Sequence, residues 1–310
     1  MKKVPILLLV FNRKDNALQM FESVKQYKPD ILYIAADGPR AHKQGEKQAC
    51  DETRQALLDA VDWHCEVKTL FREENLGCAK AVYGSISWFF EQEKWGIIIE
   101  DDIILHQDFY KMCEELLPMY ADDDRIQQIT SQYYGKHVEC ANTYTFQRKP
   151  YIWGWATWSR SWQRYMDMDM KLYSSFRFRR LIPIYGIFQT IMMYHYWSRT
   201  WKNLKTSTSW ATRWHFAAVA NELLCICPKS NLGVNIGCSG QGGTHYVAGD
   251  VDPYSWMQLG GLKFPLVHPR SVKLDMEQVA IDNADFLRIR IMGFKQVVKK
   301  LYGKIVGKAN

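Results

Sequence analysis

Three carboxylates in a row, Glu100-Asp101-Asp102, follow the apolar run Trp95-Gly96-Ile97-Ile98-Ile99. Acids packed this closely at the end of a buried segment repel one another unless something binds them. A divalent cation would offset the repulsion, and hard carboxylate oxygens suit Mg²⁺ or Mn²⁺. A solvated acidic turn is the plainer alternative. Along an extended segment successive side chains point opposite ways. Glu100 and Asp102 are therefore expected on one side and Asp101 on the other. Three more polar features also follow apolar runs: Asn12-Arg13 after Val4–Val10, Asp37 after Ile31–Ala36, and Arg72 to Gly77 after Glu66–Phe71.

These residues can act together only if the runs before them are neighbouring parallel strands. The first 130 residues alternate between two periods. Strands are expected at Val4–Val10, Ile31–Ala36, Glu66–Phe71, Trp95–Ile99 and Ile126–Thr130. Helices are expected at Asp15–Tyr27, Glu46–Val61, Cys78–Phe90 and Gln107–Tyr120, with Asp15 as the N-cap of the first. Strand–helix alternation with short links implies an α/β fold with a mostly parallel sheet covered on both faces. Ligands of such sheets bind beyond the carboxyl ends of the strands, where all four polar features should converge.

The 310 residues, 47% hydrophobic and 24% charged, exclude a disordered, collagen-like or coiled-coil chain. The net charge of +7 is unevenly placed. Residues 170–221 carry eight bases and no acid, and residues 288–310 carry seven bases and no acid. Such asymmetry marks contact with an anionic partner. Residues 151–216 hold 18 aromatics, eight of them among the 12 Trp. Within them Leu181–Ser198 is uncharged for 18 residues. Its length just permits a membrane span, but Pro183, Gly186, Gln189, Thr190 and His195 favour an interfacial or lid helix pair, or core packing. None of the eight Cys forms a CxxC pair. Cys225 and Cys227 read as buried strand thiols, and the chain as intracellular with free thiols.

Val10-Phe11-Asn12-Arg13, Asp37, Arg72-Glu73-Glu74-Asn75-Leu76-Gly77 and Glu100-Asp101-Asp102 resemble the GT-A nucleotide-sugar glycosyltransferases. The likeness is to the group related to N-acetylglucosaminyltransferase I, with an acidic version of its DxD motif, and covers roughly residues 4–135. Gly154-Trp155-Ala156-Thr157-Trp158, Ser209 to Trp214 and Asn231-Leu232-Gly233-Val234-Asn235-Ile236-Gly237 resemble the later half of bacterial surface-polysaccharide transferases. The resemblance implies a GT-A, Rossmann-like fold and a donor site made of Asn12, Arg13, Asp37, Arg72, Asn75, Gly77 and Asp101. Asp37 would contact the base, and Asp101 the ribose or donor sugar. Asp102 would bind the Mn²⁺ or Mg²⁺ that bridges the diphosphate, stabilising charge on the leaving group. Arg72 would add a fixed positive charge there, or pair at the surface with Glu73 or Glu74. The implied donor is a nucleoside-diphosphate sugar, UDP-linked by expectation, and the acceptor a glycan, free or lipid-linked.

One departure stands out. Where the family pattern places a catalytic-base Asp, this chain has Ala211, which cannot accept a proton. Glu222, Asp167 and Asp169 are the candidate replacements, so inversion is only a leaning. His245, after a Gly-rich loop, is a candidate second metal ligand or a structural histidine. Trp155 and Trp210 are candidate acceptor platforms, since aromatic faces stack on sugars, with the other Trp in the core.

Residues 1–140 thus read as the nucleotide-sugar-binding region, 141–285 as the acceptor side of the same catalytic domain, and 286–310 as a basic amphipathic segment. That last segment resembles an anchor to an anionic membrane surface, which places the protein at the inner face of the membrane. No nucleic-acid reading motif is present. Two rival readings stand. A sugar nucleotidyltransferase would carry a Gly-rich loop after the first strand, where Phe11 to Asp15 holds no Gly. A non-catalytic, membrane-peripheral glycan-binding protein on a decayed transferase fold would explain Ala211.

Overall fold

In the first strand, β1 (Ile6–Val10), all five residues are buried. Ile6, Leu8 and Val10 enter one core while Leu7 enters the other with Leu9, as expected of a strand covered on both faces. The computed structural model describes residues 3–135, 141–237, 254 and 256–288. Its elements run β1, α1 (Lys14–Tyr27), β2 (Ile31–Ala36), α2 (Glu46–Asp59), β3 (Glu66–Phe71), α3 (Cys78–Phe90) and β4 (Trp95–Glu100). There follow β5 (Ile103–Leu105), α4 (Gln107–Met119), β6 (Ile126–Thr130), β7 (Tyr144–Gln147), β8 (Trp155–Trp158) and α5 (Ser159–Tyr165). After a 3-10 turn at Phe178–Leu181 come α6 (Ile182–Lys202), α7 (Trp210–Ala220), β9 (Leu224–Pro228) and β10 (Gly233–Asn235). A last helical stretch covers 276–288.

Eight strands form one sheet in the order β3-β2-β1-β4-β8-β6-β9-β7. Strands β3, β2, β1 and β4 are mutually parallel. β8 runs against both β4 and β6, and β7 against β9, which is parallel to β6. Six strands therefore point one way and two the other: a mixed α/β fold with a large, mostly parallel, Rossmann-like sheet between helices. β8 sits between β4 and β6, so residues on both sides of position 140 share one sheet. Helices α1 and α4 pack on one face through Phe21, Val24, Phe109 and Leu116. On the other face α3, α5 and α7 pack through Ile86, Phe89, Trp162 and Trp214. A third cluster joins α6 and α7 through Trp197 and Phe216.

The apolar runs and turn residues set most boundaries as expected. Helix α1 differs: it starts at Lys14 and lacks a side-chain cap at Arg13, while Asp15 lies in the first turn, favourable to the helix dipole. The cap position is occupied by Arg13, whose side chain is committed elsewhere. Helix α2 stops at Asp59, two residues short of expectation. β5, which pairs antiparallel with β10, was not expected from the pattern. Helix α6 is broken at Gly186, whose φ of 77° is left-handed and suits glycine; two helical pieces follow from one uncharged run. No helix among the described residues is long and apolar enough to cross a membrane. Cys225 and Cys227 are free and buried in β9. The basic segment beyond 288 and His245 lie outside the described residues.

Candidate functional site

The parallel register aligns Val10 with Ala36, Ala36 with Phe71, and Leu9 with Glu100. The four polar features therefore leave the sheet along one edge. Their contacts differ from expectation in an informative way. Arg13 forks across two acids: its Nε donates to Asp101 Oδ2 at 3.3 Å, and its guanidinium also donates to Asp101 Oδ1 and, at 2.9 Å, to Asp102 Oδ2. The compensating charge at the triplet is thus a guanidinium from the neighbouring strand. Alternation does not carry through the triplet either. β4 ends at Glu100 and the chain turns at 101–102, which brings Asp101 and Asp102 to the same cation. Glu100, half-buried, is left apart.

Burial and charge act on these groups together. Burial pushes the Glu100 carboxyl up to about 8, with Asp102 and then Asp101 adding to the rise. Asp101 is pushed up to about 6 by burial, while Arg13 pulls it back down. Burial lowers the Arg13 pKa, but Asp101 and Asp102 together carry it above its ordinary value. Arg13 and Asp101 are ion-paired, and burial favours the protonated form of Glu100.

The motif at 231–237 closes over the triplet. Leu232 donates its N–H to Ser131 and accepts from His106, starting β10 along β5. Ile236 N–H then donates to the Asp102 carbonyl at 2.8 Å. A Cβ at Gly237 would stand 2.4 Å from Asp102 Oδ2, so a larger residue there would displace the carboxylate. At Gly154 a side chain would meet Leu105 Cδ2 at 2.4 Å. Both glycine motifs of the second half thus press against β5 and its acidic turn.

Asp37 is fully occupied. Its Oδ1 accepts from the Gly38 and Leu76 N–H groups, and its Oδ2 from Asn75 Nδ2 and Gly77 N–H, all at 3.0 Å. A carboxylate offers about four acceptor sites, so the base contact expected of Asp37 is replaced by a structural task. Asp37, Asn75 and Gly77 together build the entrance to α3. Replacing Asp37 with Ala orphans these donors and should destabilise the chain by about 2–4 kcal/mol. Hydrogen exchange should show faster exchange at Leu76 and Gly77, while exchange unchanged there would rule the task out.

Asn12 donates to Glu46 Oε1 at 3.0 Å, which ties the start of α1 to α2. Arg72 makes neither expected surface pair; it donates to Ser85 on α3 at 3.0 Å. Burial lowers its pKa, with Asp37 opposing. The buried Arg54, missed in sequence, donates to the carbonyls of Asp37 and Arg72 and holds the ends of β2 and β3 together. Glu46, equally missed, accepts from Arg40 and Asn12. Glu46, Cys50, Arg54 and Leu57 line the buried side of α2; two charges in an otherwise apolar stripe were the available signal.

Of the three base candidates, Glu222 falls away on position. Glu222 follows α7 and precedes β9, whose first residue pairs with the first of β6. It therefore stands at the opposite edge of the sheet from the triplet, exposed and paired with Arg180 at 3.2 Å. Asp167 caps its own turn, accepting from Asp169 and Lys171 N–H groups. Asp169 is exposed and has no hydrogen bond or ion pair to the triplet among the described residues. The two proposed acceptor platforms are core residues. Trp155 is 0% exposed and Trp210 3%, and they stack on each other at 5.8 Å with Trp162 and Trp214 around them. Their faces are covered by other indoles.

Among the described residues no three His, Cys, Asp or Glu side chains form a metal cage. The donor set at the triplet is of another kind. Asp102 keeps one oxygen without a partner among the described residues, next to Glu100. One carboxylate with an open oxygen fits a hard cation that takes its other ligands from a phosphate. A separate cavity of about 200 Å³ is lined by Lys149, Tyr151, Gln189, Met193, Tyr196 and His215, among others. It shares no residue with the triplet edge.

No family model and no curated protein matches the chain. Among solved structures it is similar to HddC from Yersinia pseudotuberculosis at 12% identity. That alignment covers 51% of this chain and 77% of the other, with a TM-score of 0.31. HddC complexed with GMP-PN gives 11% identity over 53% and 80%, with a TM-score of 0.32. Residues 1–349 of TarS from S. aureus give 12% identity over 51% and 47%, with a TM-score of 0.32.

Proposed function

We propose that this chain is a metal-dependent GT-A glycosyltransferase that binds a nucleoside-diphosphate sugar, UDP-linked, and passes the sugar to a glycan acceptor, free or lipid-linked, in surface-polysaccharide synthesis. Its place would be the inner membrane face. The observation that carries this reading is the meeting of Arg13, Asp101 and Asp102 at the carboxyl edge of four parallel strands. Asp102, through its open oxygen, would hold Mn²⁺ or Mg²⁺, which would neutralise charge on the leaving diphosphate. Arg13 fixes Asp101 and Asp102 in place before any ligand arrives, so neither must reorganise on binding. Arg72 is a half-buried cation with no carboxylate in contact among the described residues, at the same strand edge, and would supply positive potential for phosphate oxygens. Gly237 brings backbone to within contact of Asp102 and narrows the approach to it.

A second reading, a non-catalytic glycan-binding protein, is favoured by Ala211 in the first turn of α7 and by the position of Glu222. Thermal-shift measurement separates the two. UDP with Mn²⁺ near a hundredfold excess over its dissociation constant should raise Tm by about 5 °C. UDP without metal should not, and Asp102→Ala should abolish the rise. Stabilisation by a nucleoside triphosphate with a sugar phosphate would indicate a nucleotidyltransferase. Indifference to every nucleotide would favour the binding protein.

A further inference from the structure

Helix α6 presents to solvent a face that is apolar where a surface helix is normally polar. Ile187 is 65% exposed and Phe188 61%, and Ile191 and Tyr194 are also exposed. At about 100° per residue, Ile187, Ile191 and Tyr194 fall within roughly 60° of one another, with Phe188 at the margin. The opposite side of the helix is spent on the core, through Met193 and Trp197. The exposed residues therefore form one continuous stripe, not scattered surface apolars.

The charges that flank the stripe along its own segment are basic, and of these Arg180 is paired with Glu222. Exposed Arg177 and Arg179 precede it, and exposed Arg199 and Lys202 follow it on the same helix. None of these four has an acidic partner among the described residues, and residues 170–221 contain no acid at all. Trp201 adds an exposed indole near the helix end. An apolar stripe with aromatic tips, flanked by unpaired long cationic side chains, matches the layering of a bilayer surface. Acyl chains accept the apolar tips, and anionic headgroups the guanidinium and ammonium groups.

We infer that the α6 face docks on an anionic lipid bilayer, lying in its surface plane. Charge selects this occupant over the others. A second copy would oppose arginine to arginine across a two-fold axis. The basic residues at 288–310 repel the same patch. The inference does not depend on the transferase reading, because neither Arg13 nor Asp102 takes part.

The test is co-sedimentation of the full chain with vesicles of phosphatidylcholine mixed with phosphatidylglycerol, and with phosphatidylcholine alone. Binding is expected to the mixed vesicles and to weaken with salt. The double variant Ile187→Asp, Phe188→Asp should lose about tenfold or more in partitioning. Arg177→Gln with Arg179→Gln should weaken binding several-fold. Both variants should keep the parent Tm, because the side chains altered are solvent-facing. Equal binding by the parent and the double variant would overturn the inference, as would equal binding to both kinds of vesicle. A parent that sediments as a dimer, ignores vesicles and becomes monomeric on Phe188→Asp would assign the face to a second copy instead.

Discussion

Arg13→Met should cost the fold about 3–5 kcal/mol, the range found when one partner of a buried ion pair is removed. Methionine keeps the length and apolar stem of the side chain but removes the charge. Asp101 and Asp102 would then face each other and Glu100 with no cation between them. The loss should depend on pH with a definite sign. Asp101 is already pushed up to about 6, above its ordinary value, by burial against the opposing pull of Arg13. Without Arg13 it rises further. A carboxyl whose folded pKa exceeds its unfolded value favours the fold only while protonated, and that support is lost as pH climbs through the folded pKa. The variant's deficit should therefore be larger at about pH 8 than at about pH 5. Urea denaturation at the two pH values measures it. Asp101→Asn in the Arg13→Met background should recover part of the loss, and a double-mutant cycle gives the coupling. A deficit under about 1 kcal/mol that ignores pH would show that Arg13 is not the compensating charge.

That prediction could not have been made from the chain alone, and the reason is topological. Arg13 and Asp101 are 88 positions apart. The ends of β1 and β4 were legible as strand ends, because each apolar run stops at a polar residue. That β4 lies beside β1, with β2 and β3 beyond on the other side, was not legible, because strand order depends on crossovers that leave no periodic mark. The acids therefore looked uncompensated and suggested a metal as the balancing charge. The same gap hid the pairing of β5 with β10, since three-residue strands carry no usable period and these pair across 128 to 132 positions. By contrast β2, β3, α3 and β6 begin and end where the residues indicate. Their runs are bounded by strong stops such as Asp37-Gly38-Pro39, and local signals suffice.

Within the site, residue type was a good guide to location and a poor one to task. Asp37 does stand at the edge, yet its oxygens are consumed by the loop that starts α3. Asn12 is at the edge and is consumed by Glu46. A carboxylate that organises a loop and one that binds a ligand have the same letter and the same strand-end position. Only the count of donors around it separates them. By that count Asp37 has no oxygen to spare, whereas Asp102, held by Arg13 through Oδ2, has one, which is why the functional test rests on it.

Trp155→Ala should be the most destabilising apolar truncation on the α3–α7 face of the sheet, at about 3–5 kcal/mol. Trp155 lies in β8, pairs in register with Ile98 and Thr130, and touches the rings of Trp162, Trp210 and Trp214. Its truncation opens a cavity between the sheet and two helices, and the surrounding indoles are too large and too rigid to collapse into it. Trp155→Phe should cost less than half as much. The indole Nε1 has no hydrogen-bond partner among the described residues, and a phenyl ring keeps most of the stacking with Trp210. A platform for an acceptor sugar would behave in the opposite way. Its truncation would spare the fold, and its replacement by another aromatic ring would preserve binding. Equilibrium denaturation of the two variants decides the matter: an alanine variant within about 1 kcal/mol of the parent would return Trp155 to the list of ligand contacts.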